Sequence, residues 1–238
     1  MARHKPTAEG GYQRGEETRE RIVEAALAIF GEKGYEGAST REIAAAAGVN
    51  APALQYYFDN KEGVYFACAE HITKRVWEQV APAVEAAEQR MTEEGVSDAE
   101  LIDTYLAVLS TFFAFIHDNP QSTSWRLFLA REQAGMGPPG AQERINHGVH
   151  LRIGAVTCAM VGRLTGMPAN AEETIIRTFA INSQVMTFRV LRGKVLKALD
   201  WDCIDRERME KVRGVLLGQT RIMLLGLVGE RDLAGVAR

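Results

Sequence analysis

Two helix-start signals stand close together near the N-terminus, and the short spacer between them constrains the fold more than any other stretch. Ser39-Thr40-Arg41-Glu42 has the form of a capping box. In it the Ser39 hydroxyl accepts from the Glu42 amide while the Glu42 carboxylate reaches back to the Ser39 amide. The helix it opens, Thr40 to Ala47, is stopped by Gly48. Asn50 then offers an N-cap for a second short helix to about Phe58, with Pro52 tolerated in its first turn. Ahead of them an apolar stripe of Ile22, Val23, Ala26, Leu27, Ile29 and Phe30 marks a helix from Glu17 to Lys33, with Gly34 as its left-handed terminator. Two short helices joined by Gly48-Val49-Asn50 make a helix-turn-helix. Such a unit either lays its second helix in a DNA major groove, about 12 Å wide, or is a structural three-helix bundle. Spacing alone leaves both open.

The helical period continues through the rest of the chain, with no strand alternation. Residues 1–16 are polar, with a Gly pair and a Pro, and read as a mobile arm. Arg3, His4, Lys5 and Arg14 within it either enter a minor groove or belong to a solvated tail. Asp59-Asn60 caps a long helix from Lys61 towards Pro82. A second capping box, Ser97 to Glu100, opens a helix with Leu101, Tyr105, Val108, Leu109, Phe112 and Ile116 inward. Further helices are expected over 121–134, over 141–164, from an Asn170/Glu173 cap to about Arg192, and over about 205–228, with a short helix or turn near 194–199. The expectation is an all-α protein: an arm (1–16), a helix-turn-helix domain (17–63) and a larger helical domain (64–238).

Charge gives no overall nucleic-acid signature. The chain carries a formal net charge of −3, and residues 1–61 hold eight Lys/Arg against nine Asp/Glu. DNA binding must therefore rest on where charges sit. Cys68, Cys158 and Cys203 fall outside any CxxC spacing and read as reduced thiols. With no signal-peptide pattern and no uncharged apolar run of spanning length, a soluble cytoplasmic protein without membrane contact is expected. No P-loop, nucleophile elbow, dinucleotide fingerprint or two-His metal motif is present, so neither an enzyme nor a cofactor is expected. Glu143, His147 and His150 share a helical face, as part of a metal site would, but no Cys or HExxH accompanies them. They read as exposed polar residues, and no metal is assigned.

The stretch from Thr18 to Val64 resembles the TetR family of bacterial regulators. It carries Thr18-x-x-x-Ile22-Val23-x-Ala25-Ala26, Phe30-x-x-x-Gly34-Tyr35, Ser39-Thr40-x-x-Ile43-Ala44-x-x-Ala47-Gly48-Val49 and Leu54-x-x-Tyr57-Phe58-x-x-Lys61-Glu62. Gln55 stands where the commonest pattern has Tyr, a departure similar to the CecR-like subgroup, as are Arg131-Glu132-Gln133 and Phe188 to Arg192. The resemblance implies a regulator that binds double-stranded operator DNA. It places Arg41, Ala51, Pro52, Ala53 and Gln55 at base-reading positions, where Arg suits guanine O6/N7, Gln suits adenine N6/N7 and small apolar residues suit thymine methyls. It places Thr40, Tyr56, Tyr57 and Lys61 at phosphate positions, which set register without reading sequence. Ile22, Ala26, Phe30, Ile43, Ala44, Val49, Leu54 and Phe58 are left as core.

The same resemblance implies a helical C-terminal domain that dimerises and binds a small-molecule effector that releases the operator. Gly214 and Gly218 are spaced GxxxG on the last helix near Ile222, which the resemblance turns into an expected homodimer interface. Phe112, Trp125, Phe128, Met160, Phe179, Met186 and Arg189 either line an effector pocket or fill an ordinary core; aromatic and Met residues at helical spacing fit both. Arg131 and Arg189, if buried, would pair with an acidic ligand or with Glu132. The alternatives are a constitutive regulator whose C-terminal domain only dimerises, a helical-scaffold enzyme, and a protein–protein adaptor.

Overall fold

A computed structural model describes residues 8–118, 122–145 and 151–236. Among the described residues there are eleven helices and no strand: α1 (Ala8–Gly37), α2 (Thr40–Ala46), α3 (Ala51–Phe58), α4 (Lys61–Thr92), α5 (Asp98–Asp118), α6 (Ser122–Gln133), α7 (Ala141–Ile145), α8 (Leu151–Thr165), α9 (Glu172–Val190), α10 (Arg192–Leu199) and α11 (Arg206–Val236). The chain divides into two compact units, Met1–Lys74 with Thr123–Ile145, and Arg75–Ser122 with Asn146–Arg238. This differs from a single cut after residue 63, because the chain returns to the first unit over residues 123–145.

The reason for that return is aromatic packing. Phe30 on α1, Tyr65 on α4 and Phe128 on α6 are all buried, with ring centroids 4.9 Å apart for Phe30 and Tyr65 and 4.6 Å for Tyr65 and Phe128. Aromatic pairs of this kind contribute about 0.5–1.5 kcal/mol each beyond the area they bury. Around them Ile22, Ala26, Ile43, Ala44, Leu54 and Phe58 are buried, while Val49 and Ile29 are half-buried.

The second unit packs α5, α8, α9 and α11 around one apolar core. α11 turns Met209, Val212, Leu216, Thr220 and Leu224 inward at three- and four-residue steps. α8 supplies Val156, Met160, Val161 and Leu164, and α9 supplies Ile181 and Val185. A polar thread crosses this core. The Tyr105 hydroxyl donates to Asn182 Oδ1 at 2.8 Å, and Asn182 Nδ2 donates to Thr157 Oγ1 at 3.2 Å. It ties α5, α9 and α8 together, and satisfying these groups is what makes their burial tolerable.

Several boundaries depart from the sequence pattern. α1 begins at Ala8, so helix occupies the second half of the expected arm, and residues 1–7 lie outside the described residues. α4 continues through Pro82 to Thr92 instead of stopping there. Pro82 is exposed, and so is Glu78, the residue whose carbonyl loses its amide partner. α9 is opened by Ala171 without a side-chain cap, not by Asn170, and α11 runs on past residue 228 to Val236. The expected helix over 141–164 appears as α7 and α8, with residues 146–150 outside the described residues.

Candidate nucleic-acid interface

The helix-turn-helix is held by the groups the sequence places there. Ser39 Oγ accepts from the Glu42 amide at 3.2 Å, and Glu42 Oε2 accepts from the Ser39 amide at 3.1 Å. Lys33 Nζ meets Glu42 Oε1 at 2.6 Å. These contacts, Lys33 first and then Ser39, hold the Glu42 carboxyl below the usual carboxylate range. The α2 N-terminus is thus occupied by the protein's own carboxylate. The turn closes through bonds from the Gly48 amide to the Ala45 carbonyl and from the Val49 amide to the Ala44 carbonyl. Asn50 Oδ1 then accepts from the Ala53 amide at 2.8 Å and starts α3.

α3 buries Leu54 and Phe58 and turns its other residues outward. Ala51, Pro52, Gln55 and Tyr56 are exposed, Tyr56 to 83%, while Ala53 and Tyr57 are half-buried. Arg41, on the first turn of α2, is exposed, and Thr40 before it is half-buried. Arg19 on α1 lies over the Phe58 ring, 5.4 Å from its centroid. Asn60 Oδ1 caps α4 by accepting from the Gly63 amide at 2.8 Å. Lys61 is engaged internally: its Nζ donates to the carbonyls of Tyr35 at 2.9 Å and Ala38 at 3.3 Å. Sequence reasoning gave it a phosphate role and missed this one. Carbonyl acceptors leave no mark in a residue pattern.

The seven residues considered for an effector pocket are divided between the two units. Trp125 and Phe128 belong to the core of the first unit, Trp125 packing edge-on to His71 at 5.8 Å. In the second unit Met160 is fully buried, and Phe112 and Met186 are half-buried. Phe179 is 71% exposed, because it falls one residue past the buried stripe of Thr174, Thr178, Ile181 and Val185. The Arg189 side chain lies outside the described residues. Among the described residues Arg131 is paired with no acid: it donates to the Gly31 and Glu32 carbonyls, and the Glu132 carboxylate takes the Tyr65 hydroxyl instead. Of the Glu143, His147 and His150 trio, the two histidines lie outside the described residues, and Glu143 is exposed. Gly214 and Gly218 are exposed on α11, with open space where a Cβ would stand, and Ile222 is 72% exposed.

Comparison with known proteins agrees with this geometry. Residues 22–68 match the bacterial regulatory proteins of the tetR family, and residues 101–227 match the C-terminal domain of the HTH-type transcriptional dual regulator CecR. The chain is 29% identical to the CecR regulator of Shigella flexneri over 90% of its own length and 94% of that protein's. It is 26% identical to the regulator CymR of Pseudomonas putida over 86% of its length and 90% of that protein's. Among solved structures, a transcriptional regulator from Pseudomonas aeruginosa PAO1 superposes with a TM-score of 0.64 at 16% identity, covering 90% of this chain and 94% of that one. AibR, in complex with isovaleryl coenzyme A and operator DNA, gives a TM-score of 0.61 at 16% identity, covering 85% and 97%. Those two likenesses show the fold. The matched families consist of transcriptional regulators, not enzymes. With the helix-turn-helix match at one end and the CecR-type match over half the chain, this protein belongs to the TetR family of bacterial transcriptional regulators.

Proposed function

We propose that this regulator is a homodimeric, cytoplasmic repressor that reads a near-palindromic operator through α3 and leaves it when a small molecule binds the second unit. The observation that carries the DNA reading is the exposed row of Ala51, Pro52, Gln55 and Tyr56 on an α3 fixed by its Asn50 cap and by buried Leu54 and Phe58. A rigid helix with short apolar residues and one amide at its N-terminal end suits thymine methyls and adenine edges. Arg41 would read a guanine, Ala53 completes the apolar row, and Thr40, Tyr56, Tyr57 and Lys61 would face phosphates.

The dimer reading rests on bare apolar surface. On α11, Gly214, Gly218, Ile222, Leu225 and Leu233 are exposed at helical spacing, and α9 adds Ile175, Ile176 and Phe179. Contiguous exposed apolar side chains mark interfaces, and a two-fold partner covers such a face with its own copy. α11 is also long and apolar enough to cross a membrane by length and composition, with only 22% of its most apolar window buried. Pairing with a second chain accounts for that exposure within a DNA-binding protein.

The ligand reading draws on Phe112, Met160 and Met186 in the second unit and on the AibR complex, in which that protein holds both isovaleryl coenzyme A and operator DNA. α4 is a continuous helix whose first turn follows α3 and whose far end belongs to the second unit. A ligand that shifts its course would favour a conformation the operator does not, and the coupling would be reciprocal. A second reading, a constitutive regulator whose second unit only dimerises, is favoured by one observation. An open cleft of about 470 Å³ among the described residues of that unit is lined by Arg177, Glu230 and Arg231 among others, and none of its described lining residues is a pocket candidate. Selecting duplexes from a random pool tests the DNA reading; failure to enrich any motif overturns it. Screening hydrophobic compounds and acyl-coenzyme A thioesters for thermal shifts and for release of the selected duplex tests the ligand reading. Absence of any releasing compound supports the constitutive one.

A further inference from the structure

The regular winding of α1 breaks at Gly34, where φ is 76° and ψ 174°. A helix interrupted in this way leaves carbonyls of its last turn in need of donors. Arg131 on α6 supplies them from 100 residues away: Nε donates to the Gly31 carbonyl at 3.0 Å and Nη2 to the Glu32 carbonyl at 2.8 Å. A planar guanidinium serves two carbonyls at once, and its charge suits the negative end of a helix. α6 is itself fastened in place. Gly31 allows it to approach α1 so closely that a Cβ would stand 2.9 Å from the Ser124 carbonyl. Next to Arg131, the Glu132 carboxylate, 4% exposed, accepts the Tyr65 hydroxyl of α4 at 2.6 Å. α1 delivers the chain into α2, and α4 takes it over from α3, so α6 grips the helices at both ends of the helix-turn-helix.

We propose that Arg131 is a positioning residue for operator recognition. From the end it secures, the chain reaches the Ser39 cap of α2 through Tyr35 and Ala38, whose carbonyls are held by Lys61. The direction in which α2 leaves α1, and with it the aim of Arg41 and α3, is set by a turn pinned from α6 and α4. Without the fork the turn remains connected but its angle is no longer fixed. Recognition of base edges, which tolerates little misplacement, suffers first. Attraction to phosphates, which depends on charge more than on aim, does not.

A purely stabilising role for Arg131 makes a different forecast, since folded molecules of a destabilised variant bind the operator as the wild type does. The test uses the full-length protein, a duplex enriched by the wild type from a random pool and a scrambled duplex, read by fluorescence anisotropy at a temperature where circular dichroism shows the variant folded. Arg131→Gln is expected to weaken operator binding roughly tenfold and to leave the scrambled duplex unchanged. Arg131→Lys, which presents a point charge in place of a fork, is expected to lose less. Operator affinity within about twofold of wild type in folded Arg131→Gln, or an equal loss on both duplexes, overturns the proposal. Should Arg131→Gln fail to fold, Arg131→Lys decides by itself: an unchanged ratio of operator to scrambled affinity overturns the proposal, and a reduced one supports it.

Discussion

The ammonium of Lys61 lies 4.4 Å from the centre of the Tyr35 ring and donates to the Tyr35 carbonyl, joining the first residue of α4 to the part of α1 beyond its break at Gly34. The Ala38 carbonyl takes a second of its protons. Lys61 is therefore a structural tie, and any phosphate it meets is met by the donor that remains. Lys61→Ala should lower folding stability by about 1.5–3 kcal/mol, the usual worth of hydrogen bonds to a charged group. Urea unfolding measures this, and an unchanged midpoint would count against the tie. In the same variant, loss of the phosphate contact should reduce the salt slope by about one on every duplex, and loss of the tie should weaken the operator further than a scrambled duplex.

Gly34 is required twice over. Its φ of 76° is a left-handed conformation, and a Cβ there would stand 3.2 Å from Arg131 Nη1. Gly34→Ala is expected to cost about 1–3 kcal/mol from the backbone conformation alone, with the guanidinium contact adding to it. Thermal unfolding checks this; a variant as stable as wild type would mean that the turn relaxes freely.

Glu42 makes the first unit sensitive to acid. Its carboxyl is held below its ordinary value of 4.5 by Lys33 and by the capping box. A carboxylate with a lowered folded-state value contributes stability above its unfolded value and loses it as pH falls through the folded one. The stability gap between wild type and Glu42→Gln should thus be constant from neutrality down to about pH 5 and close below that. Because the group is solvent-exposed, added salt should narrow the gap. A gap that persists at pH 2 would refute this assignment.

Ile222 stands 72% exposed between bare glycines on α11. Ile222→Glu should convert a dimer into the 26.3 kDa chain by placing like charges across a two-fold axis. Sedimentation of both proteins at micromolar concentration is the check. A wild type that sediments as a monomer sinks the dimer itself, and a dimeric variant moves the interface elsewhere.

Gln55 and Arg41 are exposed on different helices of the reading unit. Each alanine variant should relax preference at one position per half-site, with a loss of about 1–3 kcal/mol in discrimination there. Repeating the duplex selection with each variant shows it. An identical motif from Arg41→Ala removes Arg41 from base reading.

Much of the DNA-reading unit was legible because its determinants are local. Ser39 and Glu42, and Asn50 and the Ala53 amide, lie three residues apart, and a pair at that distance folds onto itself in any helix. The second capping box, Ser97 with Glu100, was legible for the same reason. Asn170 misled because the same letters also occur in ordinary turns.

The sequence by itself determined that the chain is helical, where α2 and α3 begin, and that Leu101, Tyr105, Val108 and Leu109 of α5 face inward, since those follow from the 3.6-residue period and from contacts within one turn. It could not assign α6 to the first unit, commit Lys61 and Arg131 to carbonyls, or turn Phe179 outward. Each of these was decided by tertiary packing. Arg131 bonds to acceptors that every residue carries, 100 and 99 positions away. Phe128 reaches Phe30 and Tyr65 only when α6 closes on α1 and α4. A backbone acceptor has no identity in the sequence, and an aromatic ring fits a core or a surface equally well by composition, so only the folded geometry distinguishes them.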